Sequence, residues 1–234
     1  MDTAMRAAGC ADGILKYGID YCSNADYETG YARFHQRNLP VYAQIDEFFG
    51  DQVSCGVRIY ESAQKFADMQ LPTKVNKTVD LNFTLFSKAA RTLAFNTIPT
   101  VYEGSGVCGI AFDENARKLP AEALDNGLIL DIAAAEILTE QGIDVGLVSI
   151  GQQITDGTEE HFLDNDNHIL LRGCQVFDIH VNSNAQILSD LQTESGKVPV
   201  SYRYENSNGQ RFLVLNINSR CDADNLFKHY ERSR

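Results

Sequence analysis

The stretch GLILDIAAAEILTEQGIDVGL, residues 127–147, decides the fold. Gly127–Asp131 is a short apolar run ending in an aspartate, as a buried strand does. Asp131 then stands where a side-chain oxygen can cap a helix, and Ala133–Gln141 supplies helix formers around an apolar stripe. Gly142 follows where a left-handed residue stops a helix. Val145–Ile150 (VGLVSI) reads as the next strand. Strand, capped helix, glycine stop and strand is the βαβ pattern of a parallel, doubly wound sheet.

Working towards the N-terminus, Leu85, Phe86, Ala89, Ala90 and Leu93 make an apolar helical stripe ending near Asn96. Ile98–Glu103 and Val107–Phe112 read as strands. Gln64–Asp80 has weak periodicity and one proline and reads as a loop. Val53, Cys55, Val57 and Ile59 alternate as a strand ending at Tyr60-Glu61. Pro40 fits the first position of a helix whose Val41, Ile45, Phe48 and Phe49 share a face. Ile14–Asp20 is a further short strand, followed by a polar turn. Beyond Gly151 the pattern changes. His168–Arg172, Val176–Val181, Val198–Glu205 and Arg211–Ile217 read as strands without intervening helices. Asn206-Ser-Asn-Gly209 is a hairpin turn with Gly209 at positive φ, and Asp222–Arg234 reads as helical. An ending inside a helix, at ERSR, gives the expectation of a piece of a longer protein.

The 234 residues have room for one large domain or two small ones, and 44% apolar residues suffice for a core. A net charge of −12 opposes binding to nucleic acid or anionic membrane, which needs clustered Lys and Arg. There is no apolar run of about 18 residues for a membrane span, and Met1–Ala11 lacks a signal-peptide pattern. Six scattered cysteines without a CxxC pair read as reduced and structural, which fits the cytoplasm. No Cys/His set has metal-ligand spacing, so neither metal nor cofactor is expected.

Three motifs carry chemistry on paper. Gly104-Ser-Gly106-Val-Cys-Gly109 is a formal GxGxxG after a strand, with Asp131 at the end of the next one. A dinucleotide site needs its last glycine in a helix facing the pyrophosphate. The continuation VCGIAF is strand-like, so a tight glycine turn is the expected reading. Cys108 stands near the position of an amidotransferase nucleophile, but its second flanking glycine falls one place early, and the formal partner His229-Tyr-Glu231 lies in the terminal helical segment. The third motif is the set of carboxylates at strand ends, where α/β sites gather. Asp20 ends ILKYGID, Glu61 ends GVRIYE and Glu103 ends IPTVYE. Two carboxylates are the equipment of glycoside hydrolysis, and Asn24, Asp26 and Glu28 in YGIDYCSNADYETGY can hydrogen-bond sugar hydroxyls. The plainer reading keeps Asp20, Asp26 and Glu28 as turn and helix caps and Glu61 as solvated. The absence of Trp removes the best stacking platform for a sugar.

The runs AARTLAFNTIPTVYEGSGVCGIAFDENARKLP (residues 89–120) and GLILDIAAAEILTEQGIDVGL resemble the amidotransferase-like, flavodoxin-type domain that follows the TIM barrel in family 42 β-galactosidases. The resemblance implies an α/β class with three parts. Residues 1–80 would be the end of a (β/α) barrel, 81–197 the amidotransferase-like parallel sheet, and 198–234 a β-hairpin opening a β-rich region. In that family the α/β domain lacks the amidotransferase triad and serves subunit association, which agrees with the broken elbow at Cys108. The implied partners are a carbohydrate substrate of the parent enzyme and further copies of the chain. Glu61 and Asp20 are the catalytic candidates by position, with Asn24, Asp26, Glu28 and Glu103 as substrate-binding candidates. The rival readings are a non-catalytic oligomerisation module and a nucleotide-binding protein using Gly104–Gly109, which demands a helix at Gly109.

Overall fold

The computed structural model describes residues 29–52, 55–62, 87–104, 106–154, 159–165, 167–170, 176–194 and 196–217. The expected strand Ile14–Asp20, the loop Gln64–Asp80 and the terminal helical segment Asp222–Arg234 lie outside them. The chain divides into two compact units, residues 1–54 and 55–234.

In the first unit, helix α1 spans Thr29–Phe49 and carries Pro40 inside it. The expected start at Pro40 is therefore too late by more than two turns. A proline within a helix removes one backbone donor, but the flanking turns hold, and Asn38 Nδ2 donates to Phe34 O at 2.8 Å. Tyr42 is buried, whereas Phe34, Leu39, Val41, Phe48 and Phe49 are exposed.

The second unit is built on a nine-stranded mixed sheet. Its strands are β1 (Val57–Ile59), β2 (Thr100–Val101), β3 (Cys108–Ala111), β4 (Leu128–Asp131), β6 (Glu159–Phe162), β7 (His168–Leu170), β9 (Gln186–Thr193), β10 (Gly196–Glu205) and β11 (Arg211–Leu215), in the order β2-β1-β3-β4-β11-β10-β9-β6-β7. The first five are mutually parallel and the rest join antiparallel. A separate antiparallel pair joins β5 (Leu147–Gln153) to β8 (Phe177–Val181).

Helices cover both faces of the parallel half. Helix α2 (Lys88–Phe95) is capped by Ser87, whose side chain accepts from Ala90 N at 2.9 Å. Its Ala89 and Leu93 pack on Val57, Ile59, Ile110 and Phe112. Helix α3 (Ile132–Glu140) lies on the other face, where Ala134, Ala135, Ile137 and Leu138 pack on Leu128, Leu130, Phe212 and Val214. Neighbouring residues of β4 thus serve opposite layers, Ile129 the α2 side and Leu128 and Leu130 the α3 side, as the pleat requires. Gly142 has φ +81° at the end of α3, and Gly209 has φ +76° in the β10–β11 hairpin, as expected of both.

Several expectations are corrected. VGLVSI does not continue the parallel sheet: β5 leaves it, with Val148 66% exposed. The fifth parallel strand is β11, which the apolar pattern assigned to a separate β-rich region. Its register runs from Phe212↔Leu128 to Leu215↔Asp131. The boundary at 80/81 divides residues that one sheet joins, because β1 pairs with both β2 and β3. The boundary at 197/198 falls within β10. Strands β6 and β9 escaped the reading because their inward positions include Glu160, Ser189 and Thr193, buried polar groups that break the apolar signal.

The two layers are stitched by polar groups. Asn216, fully buried, donates Nδ2 to Phe177 O at 2.7 Å and Pro199 O at 2.8 Å and accepts from Phe177 N at 3.1 Å. Asp131, also fully buried, accepts at Oδ1 from Ala134 N at 2.8 Å and from Asp113 N at 2.9 Å. Replacing Asp131 with Ala strands buried donors at about 1–3 kcal/mol, whereas Asn retains an acceptor. Denaturant titration should therefore show a loss of about 2 kcal/mol for Asp131→Ala and a smaller one for Asp131→Asn. Equal losses for the two would refute the cap.

Candidate functional site

In a parallel sheet whose strand order reverses, ligands bind beyond the carboxyl ends of the strands at the reversal. Here the chain runs from β1 to β2 on one side and then returns to β3 on the other, so the reversal lies between β1 and β3. A cavity of about 240 Å³ opens beside it, lined by Arg58, Glu61, Ser62, Tyr102, Asn115 and Lys118, among others.

Each side chain is placed by a local cause. Tyr60, Glu61 and Ser62 follow β1 directly, and Tyr102 follows β2. Between β3 and β4 the chain makes two 3-10 turns, Asp113–Lys118 and Ala121–Ala123. The first turn buries Asn115, whose Oδ1 accepts from Ser62 N at 2.7 Å and so ties the end of β1 to the loop after β3. Asp113 opens this turn at φ +55°, a left-handed conformation that Asp tolerates better than most residues. Arg58 lies with its guanidinium 4.8 Å from the centre of the Tyr60 ring. Its Nε is buried without a hydrogen-bond partner among the described residues. An unmatched buried donor costs about 1–3 kcal/mol, and a ligand oxygen reaching it would remove that cost. Partial burial first, and the Glu61 carboxylate second, raise the Tyr102 phenol above its ordinary pKa, and like any neutral phenol it can donate a hydrogen bond.

The cavity therefore presents a carboxylate, a phenol, an amide, an ammonium and a guanidinium. That mixture suits a small polar ligand with hydroxyl or carbonyl oxygens. Among its lining residues Glu61 is the one carboxylate, and glycosidic cleavage needs two. Glu103 is exposed after β2 and does not line the cavity. Asp20, Asn24, Asp26 and Glu28 lie outside the described residues. Position at a strand end made Glu61 legible. Asn115 and Lys118 were not, because a 3-10 turn with no strong periodicity carries them in.

The glycine run resolves as a turn. Gly104 and Gly106 have φ +74° and +65°. A Cβ on Gly106 would stand 2.8 Å from Gly56 O, and one on Gly109 would stand 2.5 Å from Tyr60 Cε2. Gly109 lies in β3 rather than opening a helix, so its role is to let the Tyr60 ring cross the strand. The nucleotide-binding reading, which demanded a helix there, is overturned. Cys108 is likewise a strand residue, half-buried and unbonded, and burial pushes its thiol pKa up. A larger groove of about 610 Å³ near Cys108, Gly127 and Arg211 touches the amino ends of β3, β4 and β11. It is on the end of the parallel strands where such sheets do not place sites.

No protein-family model matches the chain, and no curated protein matches its sequence. Solved structures resemble it in part. A cold-adapted β-galactosidase from Rahnella sp. R3 superposes with a TM-score of 0.50 at 9% identity, covering 95% of this chain and 37% of that one. A catalytic mutant of a GH42 β-galactosidase from G. stearothermophilus gives 0.48 at 10% identity, covering 95% and 36%. A β-galactosidase from Bacillus circulans sp. alkalophilus gives 0.45 at 13%, covering 80% and 32%. The chain thus spans about a third of the length of these proteins. Among the described residues no helix is long and apolar enough to cross a membrane.

A raised pKa leaves less thiolate at neutral pH, and the thiolate is the reactive form. Native-state alkylation at neutral pH should therefore label exposed Cys55 well before Cys108 when peptides are resolved by mass. Rapid stoichiometric labelling of Cys108 would refute a structural role for it.

Proposed function

We propose that this chain is part of a glycoside hydrolase of the GH42 β-galactosidase kind, and that its α/β unit serves assembly of subunits rather than catalysis. The observation that carries the reading is the shared fold over 95% of the chain with the Rahnella enzyme. Fold likeness alone is an analogy, and two features of the chain support it independently. The five parallel strands stand in the order β2-β1-β3-β4-β11, which is compatible with a flavodoxin-type sheet when β11 is counted fifth. Cys108, which stands near where an amidotransferase nucleophile would be, lies in a strand, and burial pushes its thiol pKa up, which supports a non-catalytic reading.

Assembly is favoured by what the surface leaves open. Helix α1 exposes Phe34, Leu39, Val41, Phe48 and Phe49. Edge strand β2 is two residues long and stands between exposed Ile98 and Tyr102. Large exposed apolar side chains and strand edges both recruit other chains. A net charge of −12 opposes association, but it is screened beyond about 8 Å at physiological salt. The carbohydrate belongs to the parent enzyme, and the cavity at Glu61 is too poor in carboxylates to cleave it alone.

Two measurements test the reading. The purified chain should not turn over aryl β-galactosides, and turnover that disappears in Glu61→Gln would overturn the non-catalytic role. Light scattering at moderate salt should show self-association that Ile98→Asp, beside the β2 edge of the α/β unit, diminishes. A monodisperse monomer would sink the assembly role while leaving the fold likeness intact.

A further inference from the structure

At the outer edge of the sheet, β6 and β7 form an antiparallel pair in which His161 stands directly opposite His168 and Glu159 opposite Leu170. Glu159 and His161 are two positions apart on one strand and so project from the same face. His168 meets them from across the pair. One ligand atom from each of Glu159, His161 and His168 falls within 4.8 Å of the other two. His168 Nδ1 lies 3.6 Å from Glu159 Oε1, and the two imidazole rings are 3.9 Å apart at 71° to one another. Ligands about 2.0–2.1 Å from a tetrahedral zinc ion sit about 3.3 Å apart, so the His168–Glu159 pair at 3.6 Å is nearly in place and any pair as wide as 4.8 Å would close by side-chain rotation.

We infer that Glu159, His161 and His168 form a binding site for a divalent transition metal of the zinc class. Two imidazoles and one carboxylate are borderline ligands that favour zinc and its neighbours over calcium or magnesium, which ask for oxygens throughout. The register presenting them is set from the opposite face. Glu160 is fully buried there, accepts from Ser189 Oγ at 2.6 Å and pairs with Leu191 of β9. A slip of one residue would bury Glu159 and His161 and expose Glu160, so the inner face fixes the outer one. The side chains of His168 and Glu159 are 40% and 48% exposed, which leaves the fourth coordination position to water or to a donor from another molecule. The surplus negative charge of the chain also raises the local concentration of cations. Bound metal would clip β7, an edge strand, to β6, which is itself paired to β9. Ligand spacing along the chain did not reveal this set, because His168 reaches it by strand pairing and not by a helical or CxxC repeat.

The test is calorimetric titration of the whole chain with Zn²⁺ after removal of metal and blocking of thiols. One equivalent should bind, and the melting temperature should rise with added Zn²⁺. His161→Gln and His168→Gln each lose a direct ligand and should weaken binding by at least the ~10–100-fold seen when outer-shell partners are lost. Glu159→Gln should weaken it less, and His180→Gln, on an exposed histidine of β8, should leave it unchanged. If a histidine variant fails to fold by circular dichroism, the exposed Glu159→Gln decides. The inference is overturned by absence of saturable binding, by binding that survives both histidine variants, or by binding that vanishes once thiols are blocked.

Discussion

The buried carboxylate of Asp131 holds together the part of the molecule on which everything else is arranged. It ends β4, caps α3, and through Asp113 N fixes the turn that follows β3. That turn carries Asn115, which in turn holds the backbone of Ser62 beyond β1. Three strand ends are thus linked by two side chains, and the cavity at Glu61 takes its outline from them. An apolar residue at 131 would satisfy the packing on either side but leave the loop after β3 without its anchor.

Much of this local chemistry is legible in the amino-acid sequence. Asp131 as a cap, Gly142 as a stop, the Asn206–Gly209 turn and the strand character of Cys108 and Gly109 all follow from residue type and spacing. What spacing does not convey is partnership across distance. The run VGLVSI is as apolar as a buried parallel strand, yet among the described residues β5 pairs with β8, while RFLVL takes the place beside β4. Both segments have strand-forming residues, and both join the core that holds α3, Val145 and Leu147 from the first and Phe212 and Val214 from the second. In the same way Glu61 could be picked out by its position, whereas Asn115 owes its place to a 3-10 turn and a single long-range hydrogen bond.

The polar interior of the antiparallel half has a different logic. Glu160, Ser189 and Asn216 are fully buried, and Asn216 has its amide bonds met by backbone groups of two other segments. Well-satisfied buried polar groups penalise alternative registers more severely than apolar ones do, because any slip leaves them unmatched. This half consequently presents its outer residues in a fixed order, a prerequisite for a surface on which other groups, or other subunits, are to settle.

The placement of β11 has a consequence for how the chain reaches this state. Leu128 is paired with Phe212, so the centre of the nine-stranded sheet closes only after the intervening excursion through β5–β10 has been made. Long-range parallel pairing is slow, since loop closure must be met before the contact rewards it. During synthesis β4 emerges well before its neighbour and exposes an open apolar edge meanwhile. The β10–β11 hairpin is local and can form early. Its docking on β4 as a preformed unit is then the natural late step, and the moment at which the nascent chain is most exposed to misassembly.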